Sequence, residues 1–107
     1  KKSAFTKVTG FDPKMFMYAE EVELFYRLKQ MGFKTFFTPA TVIMHIGGAS
    51  STNTVRIVSE AKGLLYFYRK HLPPQAFLAR ILLKLGMGLR FILFGFSHTY
   101  AQALAQI

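Results

Sequence analysis

Residues 76–96 form a long apolar segment that carries three cations, and this combination restricts the possible folds more than any other feature of the sequence. The segment is long enough to suggest a membrane-spanning helix, but it contains Arg80, Lys84 and Arg90. A cation near the centre of such a helix costs about 2.5–3.5 kcal/mol on insertion scales, so three of them disfavour a span. On a helical wheel the large apolar side chains share one face, with the cations on the other side. That face comprises Leu78, Ile81, Leu82, Leu85, Leu89, Ile92, Leu93 and Phe96.

Two interpretations of this amphipathic helix stay open. An interfacial helix would sink its apolar face into a membrane surface while the cations reach lipid phosphates. The same pattern would also suit a helix whose apolar face packs on a protein core. In both cases we predict that residues 73–107 form a basic amphipathic helical tail, separate from residues 1–72.

The chain is strongly basic, with 14 lysine and arginine residues against 5 acidic residues and a formal net charge of +9. Every acid lies at or before Glu60. This balance suggests an anionic partner, such as phosphate groups, nucleic acid or an anionic membrane surface. Nucleic acid is the least favoured of these, because the sequence has no zinc ligand set, aromatic RNA-binding motif or recognition helix. The lack of cysteine excludes disulfides and thiolate metal sites.

Three of the five acids, Glu20, Glu21 and Glu23, fall within four positions. Apolar residues recur after them at helical spacing and Gly32 provides a stop, so we predict a helix over residues 20–31. The acids would lie in its first turn, where unpaired N–H groups and the helix dipole favour negative charge. They are either ordinary acids of a helix N-terminus or members of a catalytic site.

Aromatic and β-branched residues after this helix predict two short strands, at residues 34–38 and 41–46. A polar loop follows at residues 47–54, and a second helix is expected over residues 55–71, ended by a proline pair. The expected fold is therefore α+β, with an acidic helix, two strands and two further helices. Its strands would join a larger sheet, and their open edges would favour homo-oligomers.

Several short motifs occur in a fixed order along residues 1–71. They are Gly10-Phe11-Asp12, Phe16-Met17-Tyr18-Ala19-Glu20-Glu21-Val22-Glu23-Leu24, Arg27-Leu28, Gly32-Phe33, Pro39-Ala40, His45-x-Gly47-Gly48-x-Ser50 and Tyr66-Phe67-Tyr68-Arg69-Lys70-His71. Together they resemble the C-terminal half of the catalytic domain of family-2 glycosyltransferases, which have the Rossmann-like α/β GT-A fold, and especially the rhamnosyltransferase-like branch. The resemblance implies that residues 1–72 are the C-terminal portion of such a domain.

The resemblance also implies roles for the acids. In that family an acidic pair, usually Glu-Asp, opens this helix beside the sugar-transfer site, and its second acid is the general base that deprotonates the acceptor hydroxyl. That position is Glu21 here, and Glu20 occupies the first position and is the second candidate. The change from Asp to Glu adds a methylene, which matters because base catalysis depends steeply on placement. Glu23 matches a further acid of the pattern, for which a structural role is expected.

The resemblance places His45 near a divalent metal, Mg²⁺ or Mn²⁺, and the nucleotide diphosphate. Gly47, Gly48 and Ser50 would then form a loop near the phosphates, and Arg56 would neutralise diphosphate charge. The alternative is a histidine bonded to the backbone at a strand end, followed by an ordinary surface loop, since one histidine makes no metal site by itself.

The Asp-x-Asp motif of the family is absent, so we expect the nucleotide-binding half to precede Lys1 and the isolated chain to be inactive. The intact protein would transfer a sugar from a nucleotide-diphosphate donor to a glycan or lipid-linked acceptor in cell-surface polysaccharide biosynthesis. It would be cytoplasmic and peripheral at the inner face of the cell membrane. The alternative function is a non-enzymatic module that binds membrane surfaces or acts as an adaptor through residues 76–96.

Overall fold

The computed structural model describes residues 1–15, 17–44 and 52–107, and within these ranges every regular element is a helix. The predicted acidic helix and the predicted second helix are both confirmed, and two further short helices begin and end the described chain. The elements are α1 (Lys2–Lys7), α2 (Glu20–Gln30), α3 (Asn53–His71), α4 (Pro73–Leu93) and α5 (His98–Gln106).

The expected α+β fold, and with it the Rossmann-like GT-A architecture, is wrong for the part of the chain that the structure describes. Residues 34–38 and 41–44 form no strand, and the last two residues of the second predicted strand lie outside the described ranges. A strand needs a neighbour to pair its N–H and C=O groups, and the described residues offer none. Composition alone gives only a weak preference for β structure, and Phe37 is 93% exposed.

The helices α3, α4 and α5 pack against one another around one apolar core. Two small side chains, Ala61 and Ala103, are almost completely buried there, which lets α3 and α5 approach closely. The core cluster consists of Val58, Ala61, Leu65, Met87, Ala103 and Ile107.

Polar contacts fasten α5 and the residue after it to the other two helices. The Lys62 ammonium donates to the Gln106 side-chain oxygen over 2.6 Å. The hydroxyls of Thr54 and Thr99 are 2.8 Å apart. Arg80 Nε donates to the carbonyl oxygen of Ile107 over 2.9 Å, so one of the predicted tail cations is engaged within the protein.

A single residue, Leu72, separates α3 from α4. The proline pair at residues 73–74 ends α3, as predicted. It also begins α4, three residues before the predicted start at residue 76. Proline suits a first helical turn, because its fixed φ is already helical and its missing N–H has no partner there. At the other end of α3, the Thr52 hydroxyl accepts a hydrogen bond from the Val55 N–H over 3.3 Å.

Candidate functional site

The acidic helix α2 begins after two residues in the left-handed backbone region. Tyr18 has φ 67° and Ala19 has φ 69°, although neither is glycine. Each such residue costs roughly 1–2 kcal/mol, so the surrounding structure must hold this turn in place. The Ala19 carbonyl oxygen accepts the first bond of the helix from the Glu23 N–H over 3.1 Å, and the turn delivers Glu20 and Glu21 into the first helical turn.

The left-handed turn rests on α3 at Gly63. A Cβ atom at this glycine would lie 2.6 Å from the Tyr18 carbonyl oxygen and 3.2 Å from the Ala19 Cβ. The first distance is too short for any side chain and involves backbone, which has little freedom to move away. Gly63 therefore permits the close approach that sets where α2 begins.

We expect Gly63→Ala to destabilise the protein by about 1–3 kcal/mol, because it forces the turn away from α3. Gly88→Ala is the matched control, since Gly88 is also helical and an added Cβ meets nothing within 4 Å. There the loss of backbone freedom in the unfolded chain should give up to about 1 kcal/mol of stabilisation. Urea unfolding followed by circular dichroism distinguishes the two, and equal effects would contradict the close approach.

The two candidate bases differ in their surroundings. Glu21 is exposed and lines an open cavity of about 340 Å³ together with Glu60 of α3. Glu20 is half-buried, and its Oε2 atom has no hydrogen-bond partner among the residues that the structure describes. Glu21 is therefore the acid that an outside molecule reaches most directly.

The third acid of the stretch, Glu23, is completely buried and lies among an arginine, a lysine and a histidine. Arg27, one helical turn later, donates from Nε to both carboxylate oxygens over 2.8 and 2.9 Å. From α3, Lys70 Nζ lies 2.6 Å and His71 Nε2 lies 2.9 Å from Oε1. The structural role expected for this residue has a clear physical basis, because its carboxylate joins α2 to the end of α3.

A second carboxylate, Asp12, extends this arrangement to the N-terminal part of the chain. It accepts hydrogen bonds from Lys70 Nζ and the Tyr66 hydroxyl, both over 2.8 Å, and from the Lys14 N–H over 2.9 Å. The Arg27 guanidinium also donates to the carbonyl oxygens of residues 8 and 10, in the latter case over 2.6 Å. The name ion cluster is used below for Asp12, Glu23, Arg27, Tyr66, Lys70 and His71.

The ion cluster lowers the pKa of both carboxyl groups. Burial alone would raise the pKa of Glu23, but hydrogen bonds from Arg27, Lys70 and His71 outweigh it and lower the pKa from 4.5 to about 2. The hydrogen bond from Lys70 is the main reason that the pKa of Asp12 lies well below its usual range. For Lys70, burial would lower the pKa, but the bonds to Asp12 and Glu23 raise it instead. Both acids are thus held as carboxylates.

These pKa shifts predict a loss of stability in acid. The unfolded chain protonates Glu23 near pH 4.5, whereas the folded protein does so only near pH 2, so the unfolded state takes up protons first. The stabilisation from the Glu23 carboxylate is complete above its pKa in the unfolded chain. It decreases as the pH falls towards its pKa in the folded protein. We expect Glu23 alone to account for about 3 kcal/mol over this window, with Asp12 acting in the same direction.

Urea unfolding measured between neutral pH and about pH 3 checks this dependence. Glu21→Gln is the control, because its carboxylate lies outside the ion cluster, and this variant should keep the same slope. A free energy of unfolding that stays constant over the acidic range would contradict the assignment.

The other predicted site residues are placed only in part. Arg56 is exposed on α3, and it shares an open cavity of about 430 Å³ with Glu60, Arg90 and Tyr100. Glu60 lines this cavity and also that of Glu21, so the two cavities adjoin. The remaining residues, His45, Gly47, Gly48 and Ser50, lie outside the described ranges, so their predicted roles stay predictions.

Within residues 1–15, 17–44 and 52–107, no group of three His, Cys, Asp or Glu side chains is arranged to hold a metal ion. The sequence alone indicated no role for Asp12 or Tyr66. It also did not indicate that Lys70 and His71 belong to a cluster. The one local signal was the spacing of four residues between Glu23 and Arg27, which is typical of a helical ion pair.

Comparison with known proteins gives a short region of similarity to a glycosyltransferase. Over 45 residues, 42% of this chain, the sequence is 40% identical to N-acetylglucosaminyl-diphospho-decaprenol L-rhamnosyltransferase from two strains of Mycobacterium tuberculosis. The aligned segment covers 15% of the length of each of these relatives. No protein-family model matches the chain, and no solved structure matches it. The similarity supports a relation to glycosyltransferases over this segment.

Proposed function

We propose that this chain is part of an inverting glycosyltransferase of the rhamnosyltransferase-like branch, which transfers a sugar from a nucleotide-diphosphate donor to an acceptor hydroxyl. The observation that carries the proposal is an exposed carboxylate, Glu21, presented beside an open cavity by a strained turn at the start of α2. The similarity to a rhamnosyltransferase supplies the class of reaction. The name of that relative contains a lipid-linked diphosphate, which supports the same class of acceptor here.

Glu21 is the general base in this proposal. As the acceptor oxygen attacks the anomeric carbon, its proton passes to the Glu21 carboxylate. The bond between that carbon and the donor diphosphate breaks, and the diphosphate leaves with the electron pair. Attack opposite the leaving group inverts the anomeric configuration.

The buried neighbour Glu23 does not fit the role of base. Both of its oxygens are engaged by cations, and a pKa of about 2 makes it a poor proton acceptor near neutral pH. Glu20 is the second candidate because it occupies the first position of the acidic pair, although its Oε2 atom is buried and has no hydrogen-bond partner among the described residues.

The described residues do not provide a ligand set for the divalent metal that the family resemblance implies, so no step of the reaction is assigned to it. His45 remains the proposed ligand. The charge that builds up on the leaving diphosphate must be offset, and Arg56 is proposed for that purpose because it lies in the cavity adjoining that of Glu21.

The experiment is a transfer assay with the full-length protein that contains this chain. Nucleotide-diphosphate rhamnose and a polyprenyl-diphosphate N-acetylglucosamine acceptor are supplied, and the anomeric configuration of the product is read by NMR. We expect transfer with inversion, and no product from an acceptor whose hydroxyl groups are blocked. Transfer with retention would contradict the mechanism, and a lack of transfer from a panel of nucleotide sugars would contradict the function.

A further inference from the structure

The helix α4 packs a narrow stripe of side chains against the protein and turns its wide apolar face away from it. Ala79 and Met87 are buried, and Leu83 packs against the core cluster shared with α3 and α5. The face that the sequence identifies as apolar is instead exposed along the whole helix. The name α4 apolar face is used below for Phe77, Leu78, Ile81, Leu82, Leu85, Leu89, Ile92 and Leu93, all of them exposed.

The exposure on this face is large and continuous. Leu85, at its centre, is 65% exposed, and Phe77 near its start is 75% exposed. Beyond the end of the helix, Phe94 and Phe96 are exposed as well. Scattered apolar residues are normal on a protein surface, but a contiguous apolar patch of this kind marks an interaction site.

Positive charge borders the α4 apolar face. The helical repeat of 3.6 residues places Lys84 beside one edge of the face, and Lys84 is exposed. Arg90 is exposed too, but it lies next to Leu83 on the side of α4 that faces α3, where it lines the cavity of Arg56 and Glu60. Neither α4 nor α5 contains an Asp or Glu residue. The partner of this face must therefore accept apolar side chains at the centre and offer negative charge at the edge beside Lys84.

We propose that the α4 apolar face docks on an anionic lipid membrane, with α4 lying along the surface. The helix has 21 residues and is about 30 Å long. None of the described helices is long and apolar enough to cross a membrane. In the docked position the apolar side chains enter the acyl boundary, while Lys84 extends to the headgroup phosphates.

The charge of the chain favours this occupant over a second copy of the protein. Two copies that met through the α4 apolar face would each bring a net charge of +9, which repels. An anionic surface neutralises the same charge. Membrane docking of this face is separate from sugar transfer, since it involves neither a donor nor an acceptor.

The test is sedimentation of the full-length protein with vesicles of phosphatidylcholine that contain about one third phosphatidylglycerol. We expect Leu85→Glu to reduce binding by about tenfold or more, because it places a charge where the face is most deeply inserted. Val42→Glu is the matched control, since it makes the same change in charge at a 93% exposed apolar residue outside α4, and it should bind like the wild type. Leu89→Glu provides a second variant, and circular dichroism verifies that each variant stays folded.

The ionic part of the contact is tested separately. Lys84→Gln should weaken binding by about fivefold, equivalent to about 1 kcal/mol for one lysine at an anionic surface. Lys29→Gln, which removes the same charge from an exposed position on α2, should have a smaller effect. Binding should also fall as salt is added, because salt screens the attraction.

Three results would overturn the proposal. The first is wild-type protein that does not sediment with anionic vesicles, and the second is equal binding by Leu85→Glu and Val42→Glu. The third is a dimer that Leu85→Glu abolishes while vesicle binding is absent, which would assign the α4 apolar face to a second copy. Equal binding by both variants would arise if another part of the full-length protein covers this face.

Discussion

Replacing Glu23 with alanine is expected to lower the free energy of unfolding by about 3–5 kcal/mol, the range found when one partner of a buried ion pair is removed. The carboxylate is completely buried and holds Arg27, Lys70 and His71 within hydrogen-bond distance. Without it, three groups that carry or can accept positive charge would be left close together with only Asp12 to balance them. Most small domains have a total stability of about 5–15 kcal/mol, so the variant would be marginally folded.

Glu21→Ala is the matched control for this prediction. It removes the same carboxylate from the same turn of α2, but at an exposed position outside the ion cluster, so its effect should stay within about 0.5 kcal/mol. Urea unfolding at neutral pH measures both variants. A double-mutant cycle with Arg27→Ala should give a coupling of about 0.5–3 kcal/mol, and additive effects would contradict the ion cluster.

Glu21→Gln in the full-length protein is expected to lower kcat for sugar transfer by about 10²–10⁴-fold, the usual contribution of a positioned general base. Glutamine keeps the size of the side chain and its ability to hydrogen bond, but it cannot accept the hydroxyl proton. Donor affinity should stay unchanged, because the proton is transferred only as the acceptor reacts. Steady-state kinetics with a separate measurement of donor binding checks both parts.

Two further variants make the assignment of the base specific. Glu60→Gln removes a carboxylate that lines the same cavity, and it should leave kcat within a few-fold of the wild type. Glu20→Gln tests the second candidate at the first position of α2. Near-normal turnover by Glu21→Gln would exclude this residue as base, and a loss confined to Glu20→Gln would transfer the role to Glu20.

The helices were the predictable part of the fold because their signals are local. Acids before an apolar period marked the start of α2, and the proline pair marked the end of α3. The strands were wrong at residues 34–38 and 41–44, because β composition is a weak preference without a neighbouring strand. The helix α5 was not predicted as a separate element, because its large apolar residues at helical spacing are few, Tyr100 and Leu104, and lie among small and polar side chains. Its key core residue is Ala103, whose small size matters only once α3 and α4 lie beside it.

The candidate site likewise has one part that the sequence predicts and one part that it does not. The position of Glu20 and Glu21 at the start of a helix followed from residues within one turn of each other. The ion cluster did not, because the bonds from Lys70 to Glu23 and to Asp12 span 47 and 58 residues of sequence. Nothing in the local sequence around His71 indicates a buried carboxylate as its neighbour. Such a cluster becomes visible only after the chain has folded.

The connection between α3 and α4 is a single residue, Leu72, so the two helices have little freedom to move relative to each other. Lys70 and His71, which contact the buried Glu23 carboxylate of α2, immediately precede this connection. These bonds connect α2, which begins with the acidic pair, through the end of α3 to the start of α4 and its apolar face. Under the proposed membrane docking of the α4 apolar face, the orientation of α4 on the lipid surface would also set the distance between that surface and Glu21, the proposed base.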